Sequence, residues 1–120
     1  QRKDVPGDLA DLPYLYAVSF AVPGEWEADF EKWYEHEHVD MLLLCPQWAG
    51  CRRFKVLGGR GFDGHTHVAV HYMTDLRALQ SPERDAARDT PQRDRLAAQP
   101  WFRGSYKLHY RLPVRLGMEV

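Results

Sequence analysis

Several things this sequence lacks narrow what it can be. Cys45 and Cys51 are the only cysteines among its 120 residues, and two thiols at that spacing impose neither a disulfide framework nor a metal knuckle. A reduced, cytoplasmic setting is the simpler expectation. No apolar run approaches the ~20 residues of a membrane span, and the opening Gln1-Arg2-Lys3-Asp4 lacks the apolar segment of a signal peptide, so no membrane partner is expected. The net charge is only −1, without the concentrated basic face that phosphate backbones require, so nucleic acid is not expected as a partner either. A nucleotide loop is missing as well. The glycines of GGRGFDG, residues 58–64, lead into no helix and no Gly-Lys-Ser/Thr, and they read as a hairpin tip.

What is present suits one domain with a single core of two packed layers. Residues 1–12, with Pro6, Gly7 and three Asp, read as a flexible lead-in; residues 13–113 form the domain, and 114–120 a C-terminal tail. Tyr14 to Val22 alternates Tyr14, Tyr16, Val18, Phe20 and Val22 against smaller residues, as a strand covered on both faces does. Pro23-Gly24 ends it. Gly50 to Leu57 reads as a second strand with one wet side, and Thr66 to Met73 as a third. That third strand places Val68, Val70 and Tyr72 on one face and His65, His67 and His71 on the other. Ser81-Pro82 and Thr90-Pro91 are N-cap signals, so the second helical region is expected in short pieces up to Gln99-Pro100. Trp101 to Leu112 supplies a fourth strand.

Between the first two strands, Trp26 to Leu44 reads as one helix. Turned by ~100° per residue, Trp26, Phe30, Trp33, Tyr34 and Met41 share an apolar arc, with Glu37 in its middle and His38 at its edge. A core-facing carboxylate is an anomaly, because a buried charge requires a partner or water. Three readings stay open: a helix end that bends to release Glu37 to solvent, a pocket where Glu37 and His38 meet a ligand, or a buried structural pair. The three histidines of the third strand are a second anomaly. Residues two apart on a strand share a face, but His67 and His71 lie ~13 Å apart and cannot both bind one ion. No metal and no cofactor is expected.

The order strand, helix, strand, strand, helix, strand is α+β: a ferredoxin-like βαββαβ fold with a four-stranded antiparallel sheet and the helices on one face. On this reading the His-bearing face of the third strand and the aromatic face of the first cannot both lie under the helices. A second copy of the chain is the economical cover, leaving the histidines at a polar dimer interface.

The run Phe30-Glu31-Lys32-Trp33-Tyr34-Glu35-His36-Glu37-His38-Val39-Asp40 resembles the W-Y-x-x-E-H-[IV]-P segment of EthD-like members of the dimeric α/β-barrel superfamily. Leu79-Gln80-Ser81-Pro82-Glu83 and Ala86 to Pro91 are similar to the L-x-S-P-[ED]…A-R-x-T-P stretch of the same group. Asp40 stands where that group usually has Pro, and Gln92 where an aromatic is common. The resemblance, spanning about residues 14–112, implies a homodimeric α/β barrel with a small pocket in each subunit between helix and sheet. Its members run from cofactor-free monooxygenases, cyclases and isomerases to haem-degrading proteins, so fold does not fix reaction.

Only Glu37 and His38 fall on motif positions, and they are the catalytic candidates: His38 as acid or base, Glu37 as its charged or protonated partner. Tyr16, Trp33, Tyr34, Met41, His67 and His71 are the candidates for binding substrate. The expected function is a cofactor-independent enzyme acting on an aromatic, polyketide-like or lactone metabolite, of isomerase, lyase or cyclase type. A non-catalytic ligand-binding or accessory protein, and a metal- or haem-dependent oxygenase with His67 or His71 as ligand, are the alternatives.

Overall fold

A computed structural model of the protein describes residues 12, 14–56 and 64–102 in full, together with the backbone course of 103–104 and 107–111. The expected lead-in, most of the glycine-rich turn and the C-terminal tail lie outside the described residues.

Period-two alternation makes Tyr14–Phe20 strand β1, Trp48–Lys55 strand β2 and His67–Met73 strand β3. The last strand, β4, is shorter than the sequence suggests, Lys107–Arg111, because Trp101 belongs to a helical turn, Pro100–Gly104. The proline that ends the preceding helix also opens this one. The sheet order is β2-β3-β1-β4, antiparallel throughout, with a bulge between Trp48 and Gly50 in β2. The order and the helical crossovers match a ferredoxin-like α+β fold.

Register corrects the expectation about the histidines. Tyr16 pairs with His71, Val18 with Ala69 and Phe20 with His67, so the aromatic face of β1 and the histidine face of β3 are the same face. All six are buried beneath the helices. The opposite face carries Leu15, Ala17, Val68, Val70 and Tyr72, with Phe54 53% exposed. A period of two sorts residues into two sets but does not say which set the helices cover.

The first crossover is one helical rod with an irregular middle. Helix α1 spans Gly24–Trp33 and helix α2 Val39–Leu42, and between them Tyr34–His38 is a π turn in which Val39 N–H donates to Tyr34 O. A π turn admits one residue more than an α turn. Everything after it is therefore set back by one residue, about 100° of rotation. His38 takes the inward position expected of Glu37, and Leu42 the position expected of Met41. Leu42, Val39 and Cys45 are buried, while Met41 is half-buried and packs at the margin.

The second crossover is segmented as Ser81 and Thr90 require. A 3₁₀ turn at Leu76–Gln80 precedes helix α3, Pro82–Ala87, and helix α4, Pro91–Ala97, with Pro100–Gly104 forming α5. Ser81 Oγ accepts from Arg84 N and Thr90 Oγ1 from Arg93 N, both at 3.2 Å, satisfying donors that a helix start leaves unpaired. Phe20, Phe30, Trp33, Tyr34, Leu96 and Phe102 make up much of the core between these helices and the sheet.

Candidate active site

The π turn aims two aromatic side chains inward. Tyr34 and His38 sit edge to face with ring centroids 5.0 Å apart, and Trp33 stacks at a tilt on His38 at 4.6 Å. Beneath them lies a cavity of about 30 Å³, room for about two waters. Its floor is the sheet, through Tyr16, Val18 and His71, and its far wall includes Trp48 and Phe102.

His71 is 1% exposed and bonded on both ring nitrogens: Trp48 Nε1–H donates to Nδ1 at 3.1 Å, and Nε2 lies 2.7 Å from the Tyr34 hydroxyl. An indole N–H can only donate, so Nδ1 accepts and the ring proton sits on Nε2. That proton is donated to the Tyr34 oxygen, which turns the phenolic O–H outward along another direction. Burial, followed by the positive neighbours, holds His71 well below its ordinary pKa, in the neutral form this chain of bonds requires. With both nitrogens engaged, a metal at His71 would have to displace Trp48 or Tyr34.

His38 differs. Its Nδ1 lies 3.2 Å from the carbonyl of Ala87 at the end of α3, so Nδ1 carries the proton and the lone pair falls on Nε2. Nε2 has no hydrogen-bond partner among the described residues, and His38 keeps partial solvent access and lines the cavity. Desolvation, then the charges of Arg93, Arg84 and Arg88, depress its pKa from 6.5 to about 3. His38 is therefore a neutral acceptor fixed in one tautomer.

Three arginines stand around the mouth, Arg84, Arg88 and Arg93. Arg84, from α3, lies 5.9 Å from the Tyr16 ring centroid and donates to Leu79 O at 3.1 Å. Arg93, from α4, lies 5.5 Å from that of Phe102 and donates to Arg88 O at 3.3 Å. The i, i+4 spacing of Arg84 and Arg88 was the available signal, but it fits an exposed face equally well.

The other expected site residues distribute as follows. Tyr16, Trp33, Tyr34, His38 and His71 come together around the cavity. Glu37 does not join them. The one-residue setback turns it sideways, where its Oε2 accepts from Thr90 Oγ1 at 2.7 Å, so it braces the N-cap of α4. Met41 is rotated out by the same setback. His67 lies on the sheet face under the helices but away from the cavity, its Nε2 3.0 Å from Glu27 Oε2 and its ring against Phe30. Arg53, on β2, is taken by Glu31 at 2.5 Å and Glu35 at 2.6 Å. Among the described residues no three His, Cys, Asp or Glu side chains are grouped to hold a metal ion, and no helix is long and apolar enough to cross a membrane.

No protein-family model matches the chain, and no curated protein sequence matches it. Among solved structures, the crystal structure of an ethyl tert-butyl ether D (EthD) family protein from Bacillus halodurans C-125 is similar. It is 14% identical with a TM-score of 0.57, over 83% of this chain and 97% of that one. The fold of this chain is therefore EthD-like.

Proposed function

We propose, starting from an EthD-like fold with a polar cavity beneath a π turn, that the protein is a cofactor-independent small-molecule enzyme in which His38 transfers a proton. The observation that carries this reading is the tautomer of His38: Nδ1–H is held by Ala87 O, leaving on the cavity an acceptor nitrogen with no partner among the described residues. In this scheme Nε2 takes a proton from a carbon next to a carbonyl, the electron pair moves onto the carbonyl oxygen, and the Tyr34 hydroxyl and the arginines stabilise the enolate that forms. Return of the proton at another atom gives isomerisation, and expulsion of a leaving group gives elimination. Glu37 is then a positioning residue, acting through Thr90 on α4.

Because the cavity is far smaller than a whole metabolite needs, the reacting carbonyl enters it while the remainder of an aromatic, polyketide-like or lactone substrate lies across the mouth. The apolar sheet face of Leu15, Val68 and Val70 suits a second copy of the chain, giving a cytoplasmic homodimer. The depressed pKa of His38 favours a second reading, a non-catalytic binding protein, since so weak a base abstracts protons poorly unless the ligand raises its basicity.

Deuterium exchange separates the two. A panel of enolisable aryl ketones and lactones is incubated in D₂O with the protein and followed by NMR. The enzyme reading expects exchange at the carbon next to the carbonyl, lost about 10²–10⁴-fold in His38→Gln with the melting temperature nearly unchanged. Saturable binding without exchange supports the binding protein.

A further inference from the structure

The polar groups around the cavity are unbalanced. Three arginines line it, Arg84, Arg88 and Arg93, yet none of the described residues lining it is Asp or Glu. Glu37, the carboxylate nearest in sequence, is turned to Thr90. Trp33 lines the cavity and is 1% exposed, and its Nε1–H has no hydrogen-bond partner among the described residues. An unsatisfied buried donor is costly and asks for an acceptor. The Tyr34 hydroxyl accepts from His71 at 2.7 Å. Against these donors the described lining offers only neutral acceptors, His38 Nε2 and the hydroxyl oxygens of Tyr16 and Tyr34. Arg84 uses one of five guanidinium N–H groups on Leu79 O, and neither it nor Arg88 makes an ion pair with a described residue.

We infer that this cavity recognises a carboxylate, held by Arg84 and Arg88 at the mouth with an oxygen directed toward Trp33 Nε1–H, and that the substrates of the site are planar organic acids. This rests on the reading of the cavity as the ligand site but not on His38 catalysing anything there. Space for about two waters fits the oxygens of one carboxylate, and guanidinium pairs with carboxylate in two parallel hydrogen bonds. The flat body of such an acid meets the guanidinium planes at the mouth. A bound anion also offsets the positive field on His38, so the ligand itself would restore basicity to that ring.

The test uses benzoate and its neutral isostere benzamide, titrated by calorimetry into wild-type protein, the double variant Arg84→Gln/Arg88→Gln, its Lys/Lys counterpart, and His38→Gln. Expected is saturable benzoate binding that weakens with salt, at least about tenfold tighter than benzamide. The Gln pair should lose that preference with its melting temperature intact, and the Lys pair should keep part of it. His38→Gln should still bind benzoate, since its role is not charge recognition. Equal affinity for the two probes, no saturable benzoate binding at millimolar concentration, or a folded Gln pair that binds benzoate undiminished would each overturn the inference. The outcomes stay separable from those of the proposed enzyme activity. Benzoate binding without any deuterium exchange keeps the anion site and removes the catalyst, whereas exchange with no carboxylate preference does the reverse.

Discussion

The two sides of the helical rod treat arginine in opposite ways. On the β2 side, Arg53 is held between Glu31 and Glu35, its guanidinium 5.1 Å from the Tyr34 ring centroid, and Lys55 and His67 share Glu27 at 2.7 and 3.0 Å. Arg53, Lys55 and His67 there each have a carboxylate from α1 or the π turn, and together these contacts staple the rod to the sheet. On the α3/α4 side, Arg84 and Arg88 line the cavity and make no ion pair with a described residue. The lesson is one of pairing. A charge neutralised within the fold contributes to holding it, and a charge left without a counter-ion is available to something that arrives from outside. The two histidines of the cavity divide the same way, His71 bonded on both nitrogens and His38 on one among the described residues.

If pairing marks structure, breaking paired groups should cost stability and breaking unpaired ones should not. The largest loss is expected for His71→Leu, which orphans both the Trp48 indole and the Tyr34 hydroxyl. Roughly 2–4 kcal/mol, read by denaturant unfolding, is the expected cost; no change would mean that the paired wall does not hold the fold. Arg53→Met should follow at about 1–2 kcal/mol, discounted because both carboxylates are partly in water, with benzoate binding unaltered. Arg84→Gln should leave stability within about 0.5 kcal/mol at neutral pH. It should instead raise the pKa of His38, visible in imidazole NMR titrations, because one of the charges depressing it is gone.

A further effect, confined to acid conditions, is on acid tolerance. His38 titrates near 6.5 unfolded but at about 3 folded, so between those values the unfolded chain binds the extra proton. Stability should therefore rise with pH across that window and fall as acid is added, with His71 acting in the same direction. Above pH 6.5 both are neutral in either state and contribute no slope. In His38→Gln the dependence of melting temperature on pH between about 3 and 6.5 should be shallower; an identical profile would show that His38 is not desolvated as described.

Much of the fold was legible because local chemistry dictates it. Tyr16, Val18 and Phe20 announce a strand by alternation, Ser81-Pro82 and Thr90-Pro91 announce helix starts, and the order of elements follows. His38, Tyr34 and Tyr16 were likewise visible as candidates. What escaped was set by tertiary packing. No residue between Tyr34 and His38 specifies a π turn, so a uniform 100° wheel placed Glu37 and Met41 where His38 and Leu42 stand. Period two on β3 could not say that the histidine face would meet the helices. Arg84 and Arg88 read as an ordinary wet face because spacing along one helix carries no information about the cavity across from it.

The π turn has a consequence for how such a site changes over generations. It acts as an inserted tooth in a gear, offsetting all later residues by one. Deleting a single residue from Tyr34–His38 would realign Val39 to Leu42 with the preceding helix, and where the deletion falls would decide whether an imidazole or a carboxylate meets the ligand. Two chemistries of different basicity thus lie one codon apart, with the strands, caps and arginines inherited unchanged.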